Sequence, residues 1–181
     1  SDVDEVVKEV KAIADDSTRL NKESAEKSRE LVDRDTKKNK RSVEELRRLV
    51  TEILKVVESG GPGKVVEEAK KRLDRLLERD EETNRDSERK DRELLRTDEE
   101  LNRETDKRLK DLLDRVRRRI SNDELLRKLE EVVEKVRRDD ERSHRESERV
   151  SRESTKRSRD SHRESREVVT EVKKEVDRAA K

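Results

Sequence analysis

Cysteine, methionine, tryptophan, tyrosine and phenylalanine are all missing from the 181 residues, and only one proline and three glycines occur. Without cysteine there is no disulfide framework and no thiolate chemistry, so the redox compartment is unconstrained. An excess of one charge is missing too. The 51 Lys and Arg nearly cancel the 50 Asp and Glu, and the two signs are mixed residue by residue. There is then no unbalanced field to draw nucleic acid or an anionic membrane. Even the arginine-rich stretch from Asp123 to Lys181 holds 18 bases against 17 acids. No apolar run approaches the roughly 20 residues that span a bilayer, and Ser1 to Val10 lacks the apolar centre of a secretory signal. The expectation is a soluble chain, cytoplasmic on recombinant expression, with no cofactor, no metal and no nucleic-acid, membrane or small-molecule partner.

What is present is charge: 56% of the residues are Asp, Glu, Lys or Arg and 25% are hydrophobic. That composition borders on the disordered class, but the balance of signs removes the repulsion that would expand the chain. All four Gly and Pro residues fall in Ser59-Gly60-Gly61-Pro62-Gly63, a helix break. A second break reads Ile120-Ser121-Asn122-Asp123-Glu124, in which Ser121 and Glu124 have the spacing of a capping box. The breaks predict three helices over about 2–58, 64–119 and 122–180, each near 85 Å long at about 1.5 Å per residue. Short connections make neighbours antiparallel. The fold expected is all-α, an elongated, nearly untwisted three-helix bundle in up-down-up order, forming a single domain over residues 1–181.

Each predicted helix carries one seam. In the first it runs Val3, Val7, Val10, Ala14, Ser17, Asn21, Ser24, Ser28, Leu31, Asp35, Asn39, Ser42, Leu46, Leu49, Ile53, Val57, covering 54 residues in 15 steps. The second, from Val66 to Ile120, and the third, from Leu125 through Val168 and Val172 to Ala179, have the same span and step count. The mean step is that of a straight α-helix, whereas a strict seven-residue repeat would impose a left-handed supercoil. The ends of the seams are apolar. Their middles are polar.

The polar residues recur at intervals of 18: Asn21 and Asn39, Asn84 and Asn102, His144 and His162. Antiparallel packing would set residue i of the first helix level with about 123 − i in the second and 120 + i in the third, since all helices rise equally per residue. One candidate hydrogen-bond layer then contains Asn21, Asn102, His144, Ser147, Ser24 and Thr105. The other contains Asn39, Asn84, His162, Ser165, Ser42 and Ser87. A girdle of Leu31, Val32, Leu94, Leu95 and Val150 is expected between them. Asn, Ser and neutral His each donate and accept, so these types can close a network without orphan groups. Discrete polar layers are satisfied in one register only, and so specify the pairing of otherwise repetitive seams.

More specific chemistry finds little support. The two imidazoles, each in a Ser-His-Arg-Glu-Ser pentapeptide, lie five turns apart and cannot share one zinc ion. They belong to the layers or to their boundary. Ser143, His144 and Asp140 do not make a catalytic triad, because adjacent helical residues point about 100° apart and no oxyanion hole is suggested. Acidic pairs such as Asp15-Asp16 and Asp139-Asp140 lack a glycine-punctuated calcium loop. The Arg-Ser alternation over Ser151 to Arg159 is interleaved with acids and reads as a solvated helix face. Asp35, Asp80, Asp91, Asp98 and Asp140 fall on or beside the seams, where each either pairs with an arginine across the interface or looks outward.

The equal helices, the Gly-Gly-Pro-Gly linker, the 18-residue recurrence of Asn and His and the Glu/Lys/Arg surface together resemble a computationally designed, straight helical bundle with buried hydrogen-bond networks. The resemblance covers the whole chain. It implies a de novo scaffold without enzymatic or other natural activity. The expected state is a monomer, with self-association through Leu20, Leu95 or Leu113 beside the thin seams as the competing state. The alternative function is a pH-responsive or partner-binding switch module triggered by His protonation, motivated by one imidazole in each layer.

Overall fold

The computed structural model describes residues 2–179, leaving out the side chain of residue 2. It contains three α-helices, α1 (Asp2–Glu58), α2 (Gly63–Arg119) and α3 (Asp123–Ala179). Expected helical residue 180 lies outside the described residues. The chain divides into two compact units: the first comprises Ser1–Glu30 and Asp91–Ser151, the second Leu31–Lys90 and Arg152–Lys181.

Backbone chemistry sets the breaks. Gly60 has φ +67°, the left-handed conformation that glycine adopts without a Cβ penalty. The Gly61 amide then donates to the Val56 carbonyl at 2.9 Å and the Gly60 amide to that of Val57 at 3.2 Å, the two bonds of a Schellman ending. A Cβ at Gly61 would lie 2.6 Å from Val56 Cγ1. The Pro62 carbonyl accepts from Val65 at 3.1 Å, which starts α2 at Gly63. At the second break the sequence expectation needs correction. Asn122, not Ser121, is the cap: its Oδ1 accepts from the amides of Glu124 at 3.1 Å and Leu125 at 3.3 Å. Asparagine reaches two of the free amides of the first turn, and the helix starts at Asp123.

Within the first unit, Val10, Ile13, Leu109, Leu112, Val116, Leu129, Val133 and Val136 form a buried apolar cluster. The second unit has its own, of Leu46, Ile53, Val66, Leu73, Leu76, Val169, Val172 and Val176. Each such side chain contributes about 1.5–3 kcal/mol on burial. Pairing is regular in each unit. Glu9 pairs with Arg115 and Asp16 with Arg108 in the first, where α1 numbers rise as α2 numbers fall. In the second, Asp35 pairs with Ser154 and Asn39 with Ser158 at one constant offset, whereas Lys70 pairs with Asp177 and Asp74 with Lys173 in opposite order.

The buried stripe is more structured than a uniform step. On α1 it runs Val10, Ser17, Ser24, Ser28, Asp35, half-buried Ser42, Leu46, Ile53, and on α2 Leu73, Asp80, Ser87, Asp91, Asp98, Thr105, Leu109, Val116. Both sequences advance by seven, seven, four, seven, seven, four and seven. On α3, Val136, Asp140, Ser147, Ser154, Ser158, Ser165, Val172 and Val176 follow the same rule. Four-residue insertions unwind a heptad seam, so two heptads and one insertion make the 18-residue repeat.

A seam of uniform step misplaced several valines. Val3, Val7 and Val168 are exposed. Their places are taken by Val6 and Ile13 in the first unit and by Val169 in the second. One residue along a helix is a turn of about 100°, so Val168 and Val169 cannot both face the core. Leu31, Val32, Leu94, Leu95 and Val150 are each half-buried.

Candidate functional site

The polar centre of each unit is built on carboxylates. In the first unit Asp98, on α2, is 4% exposed. Its Oδ1 accepts from Ser24 Oγ at 2.7 Å, and its Oδ2 lies 2.6 Å from His144 Nδ1. A carboxylate only accepts, so Nδ1 is the protonated nitrogen of that pair. Across the ring, His144 Nε2 stands 3.4 Å from Glu99 Oε1.

Asp140, on α3, is the second centre of this unit. Ser17 Oγ and Asn21 Nδ2 both donate to its Oδ1, the latter at 2.8 Å. Its Oδ2 is buried without a hydrogen-bond partner, as is Ser28 Oγ. Burial pushes the Asp140 carboxyl above the usual carboxylate range. The bonds from Ser17 and Asn21 oppose that rise, and the charges of Asp106 and Asp98 add to it.

The second unit uses the same residue types with another distribution. Asp80 Oδ2 lies 2.6 Å from His162 Nδ1. Asp35, on α1, accepts from Ser154 Oγ at 2.9 Å. Asn39 Nδ2 donates to Ser158 Oγ at 2.9 Å, and Asn84 Nδ2 donates to the Ser158 backbone carbonyl at 3.2 Å.

Of the residues expected in the first layer, Asn21, Ser24 and His144 thus engage carboxylates. Thr105 and Ser147 are buried beside them, Asn102 is half-buried, and none of these three is joined to the cluster by a hydrogen bond among the described residues. The expected meeting of Asn21 with Asn102 is replaced by Asn21 with Asp140. In the second layer Asn39 and Asn84 converge on Ser158 and His162 pairs with Asp80. Ser87 and Ser165 are buried and Ser42 is half-buried, without a bond to those groups among the described residues.

The residues that sequence reasoning missed as hubs are Asp35, Asp80, Asp98 and Asp140. Neither expectation for them holds. They are buried, and the hydrogen bonds that reach them here come from Ser, Asn and His rather than from Arg. Two signals were available: Asp80 and Asp98 stand 18 residues apart, like the asparagines, and a cluster rich in donors needs acceptors.

Among the described residues there is no group of three or more His, Cys, Asp or Glu able to hold a metal ion, and no helix is long and apolar enough to cross a membrane. The surface outside the clusters carries charge pairs. Arg159 grips Glu88 through two bonds of 2.8 and 3.1 Å, which raises the guanidinium above its ordinary value. Lys70 is raised first by its bond to Asp177.

One solved structure, described as a computationally designed three helix bundle, matches with a TM-score of 0.68 and 17% identity, over 98% of this chain and 90% of that one. The fold is a three-helix bundle. No protein-family model and no curated protein matches this bundle, so its likeness to known proteins is one of architecture. No enzyme family is among its matches.

Proposed function

We propose that this bundle is a de novo designed structural scaffold without natural biochemical activity, a single domain over residues 1–181 whose pairing is specified by buried Ser/Thr/Asn/His/Asp hydrogen-bond clusters. The observation that carries this reading is the buried stripe with the same seven-seven-four spacing on all three helices, polar at its middle and apolar towards its ends. Three unrelated helices have no reason to share that rhythm, whereas a backbone generated from one set of helical parameters imposes it on each. The likeness in fold to a designed three helix bundle supports the same reading.

The switch reading rests on one imidazole in each cluster. Each of those rings has a carboxylate 2.6 Å away, so an added proton meets an opposite charge at once. That favours a static scaffold over a module that opens when histidine is protonated.

Sedimentation equilibrium near pH 7.5 and again near pH 5, with circular dichroism on the same samples, tests both. The scaffold reading expects a helical monomer of 21.5 kDa at both values. A change of mass or a loss of helix at the lower value would establish the switch and remove the scaffold reading. A stable larger mass at both would place the self-associating form, through residues such as Leu20, Leu95 or Leu113, in place of the monomer.

A further inference from the structure

The two His-Asp pairs share one geometry on their inner side and differ on the other. In both, Nδ1 is 2.6 Å from a buried carboxylate, which fixes the proton on that nitrogen and leaves the lone pair on Nε2. At His144, Nε2 stands 3.4 Å from Glu99 Oε1, a carboxylate oxygen to which a lone pair cannot bond and which crowds that edge of the ring. Glu81 stands 18 residues before Glu99 and so corresponds to it in the repeat, but Arg85 Nη2 holds Glu81 Oε1 at 2.8 Å. The matching arginine, Arg103, is 3.8 Å from Glu99. Among the described residues Glu81 makes no hydrogen bond or ion pair with His162, and His162 Nε2 has no hydrogen-bond partner. The His162 side chain keeps 12% of its surface exposed. The α3 positions one residue or one turn away, Ser158, Ser161 and Ser165, carry small polar side chains, and Asn84 reaches the Ser158 carbonyl.

We propose that His162 is a nucleophilic site for acyl transfer from small activated esters, with Asp80 as its positioning residue. Nε2 adds to the ester carbonyl carbon, and the bond from that carbon to the phenolate oxygen breaks, releasing the phenolate and leaving the acyl group on Nε2. Positive charge gathers on the ring in this step, where the Asp80 carboxylate on Nδ1–H stabilises it. Water then adds to the acyl carbon, the carbon–nitrogen bond breaks, and the carboxylic acid leaves with its proton passing to solvent. The net change is ester plus water to acid plus phenol. The backbone amides around the ring are spent in the helices, so no oxyanion hole assists and the rate is that of one oriented imidazole.

The test is hydrolysis of 4-nitrophenyl acetate by the full chain, following 4-nitrophenolate over many turnovers. His162→Asn is expected to remove most of the turnover, since it removes the nucleophile, and His144→Asn to leave most of it. Asp80→Asn is expected to lower it as well, with partial recovery in Asp80→Glu. Nitrogen-15 spectra of the His162 ring separate positioning from folding: Nδ1 should carry the proton in the parent and lose that preference in Asp80→Asn while circular dichroism stays helical. If Asp80→Asn unfolds, Asp80→Glu and the parent tautomer decide. Unchanged turnover in His162→Asn, an Nε2-protonated ring in the parent, or acetyl groups found only on lysines would each overturn the assignment.

Discussion

The two units are built from one repeat, yet they spend their carboxylates differently. In the first, Asp98 serves Ser24 and His144, and Asp140 serves Ser17 and Asn21. In the second, Asp80 serves His162 and Asp35 serves Ser154, while Asn39 and Asn84 turn to Ser158. Advancing 18 residues turns Ser17 into Asp35 on α1 and Asp140 into Ser158 on α3, so the acceptor changes helix. The difference teaches that hydrogen-bond satisfaction is decided locally. A hydroxyl hub donates as well as accepts, whereas a carboxylate hub can only accept and carries the cost of burying its charge.

The largest effects expected are common to both units. Leu73→Ala in the second and Leu109→Ala in the first each truncate a side chain of 0% exposure, and each should cost about 2–5 kcal/mol in urea unfolding. If the chain is a single domain, both variants unfold in one transition, and two resolved transitions would break that proposal. A sharper contrast comes from the hubs. Asp98→Ala orphans both a serine and a histidine, Asp80→Ala a histidine only, at about 1–3 kcal/mol for each unpaired group. The loss at Asp98 should therefore be the greater in thermal melts, and equal losses would show that Ser24 contributes nothing. Next, Asn122→Ala should cost about 1 kcal/mol by removing a cap, while Ser121→Ala should stay within about 0.5 kcal/mol.

The smallest effect is a matter of sign. Burial raises the Asp140 carboxyl above its unfolded value, so the folded chain binds this proton more readily than the unfolded one. The contribution of Asp140 to stability therefore grows as pH falls from neutrality through its raised folded value towards the unfolded value near about 3.9, and shrinks as pH rises. Asp140→Asn cannot titrate. At neutral pH it is expected to match the parent within about 0.5 kcal/mol or exceed it, and to lose ground to the parent as the buffer is acidified, when both are unfolded with urea at several pH values.

Helix number, both breaks and the apolar ends were legible because each has a strong local cause: a positive-φ glycine, a proline, a run of valine and leucine with helical spacing. The candidate site was legible in its donors and not in its acceptors. Asn21, Ser24, Asn39, Asn84, His144 and His162 stood out as polar residues on an apolar stripe. Aspartate at Asp80, Asp98 or Asp140 is camouflaged in a chain where more than half the residues are charged. A helical step averaged over 54 residues also hides the alternation of sevens and fours, which is why Val168 stood in for Val169. At the second break a capping box and an asparagine cap differ by one residue, and only the amide geometry separates them.

The exchange of Ser17 for Asp35 and of Asp140 for Ser158 also works as a check against slippage. A repeat of 18 residues lets α1 be misaligned along α3 by one full repeat with the rhythm of sevens and fours still in phase. Such a slip in one direction would bring Asp35 level with Asp140, and in the other direction Ser17 level with Ser158. In the first case Asp35 and Asp140 would face one another in a site with little water, and their like charges would oppose the misaligned pairing. The exchanged aspartates thus reject one misalignment by repulsion while accepting hydrogen bonds in the native register, so the same carboxylates both hold the correct pairing and exclude a wrong one.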